Sequence, residues 1–193
     1  MPSRLTVVLV SLLLATSAVI FWIVLLTMPA RVAILCPENC QCEKAGYIVR
    51  CDGPSLTAVP LIHLTDVRVL RLDKNNITLL ERDRFVSRGL TELEILIVSN
   101  CVLRTIELGA FNGLTKLTEL SINVNKIREI ISGTFEDMMS LKILDLRYNG
   151  IEHLDRHLFV RLVNLRSVIL LGNKLQYLHP DTFLWLPNLQ SQL

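Results

Sequence analysis

Hydrophobic residues recur over residues 67–188 in a pattern that repeats five times. Each unit follows L-x-x-L-x-L-x-x-N-x-L-x-x-L-x4-F-x-x-L, and successive units start 26, 24, 24 and 24 residues apart. The five units begin at Val67, Leu93, Leu117, Leu141 and Leu165. The x-x-L-x-L part alternates from one side to the other, which is typical of a short strand. Units of this length stack side by side, so the strands are predicted to form one parallel sheet.

The ninth position of each unit is predicted to form an inward-facing polar ladder. Here the chain turns away from the sheet and leaves backbone groups unpaired, and an Asn amide satisfies them with its two donors and its acceptor. The ladder residues are Asn75, Cys101, Asn125, Asn149 and Asn173. Because a thiol is only a weak donor, Cys101 makes the second rung weaker. We interpret Cys101 as a buried free thiol, with a redox-active or partner-linking cysteine as the alternative.

A phenylalanine also recurs once in every unit. The five are Phe85, Phe111, Phe135, Phe159 and Phe183. Because they occupy equivalent positions, they are expected to stack as a spine beneath the convex surface. We therefore assign them to the core and not to a ligand site.

The outward-facing strand positions are the candidate binding surface, because stacking turns them into columns about 4.8 Å apart on a concave face. Apolar residues at these positions predict an exposed hydrophobic strip. They are Val69, Ile95, Ile97, Ile143, Tyr148, Ile169 and Leu171. Its predicted polar rim is Arg71, Asp73, Asp145 and Arg147. Such patches mark sites of protein contact. The alternative explanation for apolar residues at these positions is that β-branched side chains favour strands.

Residues 5–28 form an uncharged and mostly aliphatic segment between Arg4 and Arg31. The segment reaches the ~20 residues that span a bilayer, whereas a secretory signal has an apolar region of about 7–15 residues and a small-x-small cleavage site. No good cleavage site follows it, so a cleaved signal peptide and an uncleaved anchor both remain open for residues 1–33. In either case Arg4 favours a cytoplasmic N-terminus, which places the rest of the chain outside the cytosol.

Four of the five cysteines lie together just after this segment, in the spacing C-x3-C-x-C-x8-C. They are Cys36, Cys40, Cys42 and Cys51, within a predicted N-terminal cap of residues 34–66. In an oxidising compartment this cluster indicates two disulfides, for which sequence alone leaves three pairings open. Zinc is the alternative ligand of clustered cysteines, although the C-x2-C spacing of common zinc sites is absent.

Composition and motifs argue against several classes of function. The chain of 193 residues has a net charge of +2, so it offers no basic surface for nucleic acid. Hydrophobic residues make up 51% of the chain but aromatic ones only 6%, and the mean hydropathy is +0.44. The sequence lacks known catalytic and phosphate-binding motifs. His153 and His157 are interpreted as solvated surface, so we predict no enzyme, no cofactor and no metal site.

One N-glycosylation sequon is present, at Asn76-Ile77-Thr78. It directly follows the ladder residue Asn75, so the side chain of Asn76 is expected to face outward. If the chain is exported, a glycan is predicted at Asn76, where it would mask the nearby rim.

The 24-residue unit behind a cysteine cap resembles the extracellular leucine-rich repeat of Toll-type receptor ectodomains, Slit-like guidance proteins and small matrix proteoglycans. The resemblance implies an α/β fold: a right-handed solenoid with a parallel sheet on its concave face and short irregular or 3-10 segments on its convex face. It also implies that Cys36 pairs with Cys42 and Cys40 with Cys51. In function it implies a non-enzymatic module that recognises a protein partner, as a receptor, adhesion or signalling protein does.

Residues 189–193 begin a sixth unit, and the sequence contains no C-terminal cap. We interpret this as a truncated product, a partial sequence or an edge that a partner covers, with oligomerisation through that edge among the possibilities. The predicted location is secreted or on the extracellular face of the plasma membrane. Two other functional interpretations are a structural or adhesion component tethered to the membrane through residues 5–28, and a soluble decoy form of a longer receptor.

Overall fold

The structure is a computed structural model that describes residues 36–192. The predicted leader, residues 1–33, lies outside these residues. Within these residues there are ten strands: β1 Gln41–Glu43, β2 Ile48–Arg50, β3 Val69–Arg71, β4 Leu79–Leu80, β5 Ile95–Ile97, β6 Thr105–Ile106, β7 Glu119–Ser121, β8 Ile143–Asp145, β9 Ser167–Ile169 and β10 Ser191–Gln192.

Eight of these strands form one sheet in the order β1-β2-β3-β5-β7-β8-β9-β10, and β4 pairs with β6 in a second, smaller sheet. All pairs are parallel except the β1–β2 hairpin. The helices in the described residues are the short 3-10 segments Lys44–Gly46, Val86–Arg88 and Pro180–Phe183. The predicted solenoid with a parallel sheet and 3-10 segments is therefore confirmed. None of these helices is long and apolar enough to cross a membrane.

Strand register aligns the repeats, because equivalent residues pair across each coil junction. In β3, β5, β7, β8 and β9 the middle residue points inward and is fully buried. These residues are Leu70, Leu96, Leu120, Leu144 and Val168, and each lies opposite the next. The outer strand positions consequently form the columns that the repeat spacing predicts.

The phenylalanines fill the core beneath the convex side, as expected. Phe85 and Phe111 stack with ring centroids 6.0 Å apart, and Phe111 and Phe135 with centroids 6.1 Å apart. Phe159 and Phe183 stack at 5.8 Å. Four of the five rings are almost completely buried, which excludes them from ligand contact.

The N-terminal cap supplies the first strands of the large sheet. Its cysteines form two disulfides, Cys36–Cys42 and Cys40–Cys51. This is the pairing that the resemblance implies, and it removes the zinc alternative because no thiolate remains in the cluster. The backbone amide of Cys51 donates to the carbonyl of Arg71 at 2.8 Å, so the cap continues the hydrogen-bonding pattern of the repeats.

The eighth position of every unit has a left-handed backbone conformation. The φ angles are +61° at Lys74, +55° at Asn100, +52° at Val124, +53° at Tyr148 and +72° at Gly172. This bend comes just before the ladder residue and directs the chain from the sheet into the rest of the coil. Only Gly172 adopts it without steric cost.

Candidate binding surface

The Asn ladder fixes the turns that border the concave face. Asn125 Nδ2 donates to the carbonyls of Val98 at 2.7 Å and Ile122 at 3.0 Å. Its Oδ1 accepts from the amides of Cys101 at 2.9 Å and Leu103 at 3.0 Å. Each amide therefore binds the preceding coil and its own coil together. Contacts to a carbonyl of the preceding coil are also made by Asn75, Asn149 and Asn173.

Cys101 occupies the second rung and is completely buried. Its Sγ lies 2.9 Å from the carbonyl oxygen of Leu72 and 3.3 Å from that of Ser99, toward which it donates. Burial, reinforced by the charge of Asp73, raises the pKa of the Cys101 thiol to about 11. The thiol is thus protonated at neutral pH and shielded from solvent, which supports a structural role over a redox-active one.

The outward-facing apolar residues form two patches in place of the single strip that we expected. The first, called patch N, comprises Val69, Ile95 and Ile97 on β3 and β5. The second, called patch C, is built on β8, β9 and the turns that follow them. Patch C comprises Ile143, Tyr148, Ile169 and Leu171.

The two patches differ in exposure. In patch C, Leu171 is 58% exposed, Tyr148 54% and Ile143 40%. The residues of patch N are only partly exposed. Patch C therefore offers the larger apolar contact area per residue.

Tyr148 owes its position to a neighbouring glycine. A Cβ atom built on Gly172 would clash with Cδ1 of Tyr148, so the aromatic ring lies directly against the Gly172 backbone. The backbone amide of Tyr148 also donates to the carbonyl of Leu171 at 2.8 Å. A side chain at position 172 would displace the most exposed aromatic ring of patch C.

A network of polar side chains crosses the same strands, beginning at the side nearer the cap. Arg71 donates from Nε and Nη2 to Oδ2 of Asp73, at 3.1 and 3.0 Å. Asp73 Oδ1 accepts from the backbone amide of Ser99 at 3.4 Å. The hydroxyls of Ser99 and Ser121 then lie 3.2 Å apart, which extends the network to β7.

The network continues to the other side through Asn123. Its Nδ2 donates to Ser121 Oγ at 2.9 Å and to Asp145 Oδ2 at 2.7 Å. Asp145 also pairs with Arg147, whose Nη2 lies 3.0 Å from Oδ2. A continuous chain of polar contacts therefore crosses the concave face from Arg71 to Arg147.

This geometry changes the predicted rim. Asp73 and Asp145 are only 9% and 6% exposed, so they lie beneath the surface and hold the guanidinium groups of Arg71 and Arg147. Only the two arginines present charge outward, because each carboxylate is covered by its partner. The prediction of four rim charges is therefore wrong for the two aspartates.

Glu119 differs from these arginines and aspartates in the environment of its charge. It lies on β7 with Ile95 opposite on one side and Ile143 on the other, and it is partly exposed. Among residues 36–192 no ion pair or side-chain hydrogen bond is made by its carboxylate. The predicted binding surface does not include Glu119, although the repeat pattern puts it at an outward position between Ile95 and Ile143.

Two other candidate residue groups lie away from the concave sheet. Asn76 is exposed on the turn after the ladder, where its side chain is accessible for glycosylation. His153 and His157 are also exposed, and His157 Nδ1 lies 3.6 Å from Asp155 Oδ1. Within the described part of the chain, no three His, Cys, Asp or Glu side chains converge as metal ligands would.

Comparison with known protein families places the chain in one of them. The model for the leucine rich repeat matches residues 65–127, 91–151 and 139–191, which together cover most of the chain. This protein therefore belongs to the leucine-rich repeat family. Such repeat domains generally mediate protein interactions and are typically non-catalytic, which agrees with a site made of surface contacts.

Proposed function

We propose that this protein is an extracellular recognition module that binds a protein partner through the concave face of its repeat array. The observation that carries this proposal is a pair of apolar patches on a sheet face that an internally paired polar network also crosses. Apolar anchors supply most of the free energy of association when they are desolvated, while paired polar groups around them add specificity at little desolvation cost. The concave sheet combines both features.

An oxidising location is supported by the disulfides of the cap. The bonds Cys36–Cys42 and Cys40–Cys51 persist in secreted and cell-surface proteins and are rare in the cytosol. The exposed sequon at Asn76 is consistent with passage through the secretory pathway. We therefore place the mature protein in the extracellular space or on the outer face of the plasma membrane.

The test compares three variants of the full chain, expressed with a C-terminal tag in cultured cells. Ile97→Asp and Ile169→Asp place a charge in patch N and patch C, respectively. Ile131→Asp is the matched control, since Ile131 is 48% exposed but lies outside the sheet. Partners are captured by chemical cross-linking at the cell surface and identified by mass spectrometry.

We expect the cross-linked partner to be lost from both patch variants and retained by Ile131→Asp. Thermal unfolding of each purified variant must match the wild type within about 3 °C, which corresponds to roughly 1 kcal/mol for a domain of this size. Retention of the partner by folded Ile97→Asp and Ile169→Asp would show that another surface binds it.

A second candidate is the same module held at the membrane as an adhesion component. The length of the apolar segment at residues 5–28 favours it, because that segment reaches the span of a bilayer. N-terminal sequencing and intact mass of the protein recovered from cells and from their medium distinguish the two. A chain in membranes that retains Met1 supports tethering, and a chain in the medium that begins near residue 31 supports secretion.

A further inference from the structure

The distance between the two apolar patches is set by the sheet. Patch N is centred between β3 and β5, nearer β5, and patch C between β8 and β9. Because neighbouring strands lie about 4.8 Å apart, these centres are nearly three strand spacings, or roughly 14 Å, apart when measured across the strands. Strand β7 lies midway between them.

An extended polypeptide matches this distance. It advances about 3.4 Å per residue and directs every second side chain to the same side. Residues i and i+4 of such a segment are therefore about 13.6 Å apart and face the same way, and residue i+2 lies between them. A segment that crosses the strands would place i over patch N, i+4 over patch C and i+2 over β7.

The charged residues of the sheet determine which side chain of the bound segment suits residue i+2. The strands β3, β5, β7, β8 and β9 carry three charged residues, Arg71, Glu119 and Asp145. Arg71 is paired with Asp73 at 3.0 Å, and Asp145 with Arg147 at 3.0 Å. Glu119 alone among the three has no ion-pair partner in the described residues, and it lies on β7. A cation at residue i+2 would complement it.

We propose that the concave face takes an extended segment of a partner protein with the order apolar-x-basic-x-apolar, whose Lys or Arg pairs with Glu119. This inference rests on the proposed function, since it names the kind of partner that the same face recognises. The two apolar side chains occupy patch N and patch C, and the segment crosses β7 between them.

A displayed library of random linear peptides tests this directly. The full chain is immobilised through a C-terminal tag and selected in parallel as wild type, Glu119→Lys and Glu129→Lys. Glu129 is the matched control, because it is exposed, lies outside the sheet and forms none of the ion pairs of the described residues. Thermal unfolding verifies that both variants are folded.

We expect wild type and Glu129→Lys to enrich peptides with Lys or Arg midway between two apolar residues four positions apart. Glu119→Lys is expected to enrich Asp or Glu at the same middle position. A synthetic peptide of the enriched sequence is expected to bind Glu119→Gln about three- to fivefold more weakly than wild type, because one partly exposed charge pair is lost. Deleting one residue between the basic and the second apolar position turns that side chain away, so binding is lost.

Two results separate this inference from the proposed function. If peptides are enriched without a basic middle residue, and their binding is lost in Ile97→Asp and Ile169→Asp, the inference is wrong while concave recognition stands. If enriched peptides bind those two variants as well as wild type, both proposals are wrong. Failure to enrich any peptide also overturns the inference, because the face then does not accept an extended segment.

Discussion

Val124 combines a left-handed backbone with a side chain that branches at Cβ. Its φ of +52° is shared by the equivalent residues of the other coils, but Gly172 and Asn100 tolerate this conformation much better. The bend is required by the solenoid, because it turns the chain toward the ladder residue Asn125. Val124 is also 46% exposed, so packing compensates little of the cost.

Replacing Val124 with Asn is therefore expected to stabilise the fold. We expect the free energy of unfolding to rise by ~1 kcal/mol, since strained positions of this kind cost about 1–3 kcal/mol. Denaturant unfolding measures the change. Val163→Asn is the control, because Val163 is 45% exposed and does not have a positive φ. A loss of stability in Val124→Asn would mean that the Val124 side chain makes a favourable contact.

Cys101 gives the protein a pH dependence on the alkaline side. The pKa of its thiol rises from 9.0 to about 11 on folding. Below pH 9 the thiol is protonated in both states and contributes nothing to pH dependence. As the pH rises from 9 to about 11, the unfolded chain releases this proton while the folded chain keeps it, so the free energy of unfolding falls by up to ~3 kcal/mol.

Cys101→Ser is expected to remove this part of the dependence, because a hydroxyl does not titrate in that range. Urea unfolding at pH 8, 9, 10 and 11 gives the free energy of unfolding of both proteins. The difference between the two values at each pH is the contribution of Cys101, because lysines and tyrosines contribute equally to both. If the free energy of unfolding falls equally with pH in both proteins, the Cys101 thiol ionises in the folded state as readily as in the unfolded chain.

At the scale of single elements, the strands follow directly from the sequence. Apolar residues at alternate positions predict each strand of the repeats, and the 24-residue spacing predicts their register. The polar network from Arg71 to Arg147 was not predictable in this way. Its contacts between coils join residues that lie 22 to 26 positions apart, such as Asn123 with Asp145, and depend on which side chains neighbouring coils carry. The disulfide pairing likewise came from the family resemblance and not from spacing.

Leu146 tests the assignment of inner and outer strand positions. It is fully buried, so Leu146→Ala is expected to lower the free energy of unfolding by ~2–5 kcal/mol through loss of contacts and a residual cavity. Ile143→Ala, on the outer side of the same strand region, is expected to cost under about 1.5 kcal/mol because Ile143 is 40% exposed. Chemical denaturation of both variants gives the two values. Equal losses would contradict the assignment.

At the scale of the whole molecule, the covalent cross-links are confined to one end. Both disulfides lie in the cap, ahead of β3, and the repeats in the described residues are held by hydrogen bonds, ion pairs and core packing without a disulfide. Each coil contacts mainly its neighbours, so stability is expected to be a sum of coil and junction terms.

The state of the five cysteines provides a direct check of this arrangement. Alkylation of the native protein is expected to modify none, because Cys101 is buried and the other four are bonded. Alkylation in denaturant without a reductant modifies one, and after reduction it modifies five. Intact mass spectrometry counts the added groups. More than one modified cysteine before reduction would show that a disulfide is missing.

Because both disulfides lie in the cap, they also determine how the protein unfolds under mechanical force. We expect the repeats to unfold one after another from the C-terminal side when the protein is pulled by its two ends in a single-molecule experiment, because no disulfide cross-links them. Each coil of 24 residues then releases ~80 Å of extended chain, given about 3.4 Å per residue. The loops closed by Cys36–Cys42 and Cys40–Cys51 stay shut throughout, so the total extension falls short of the full contour length by the residues they enclose.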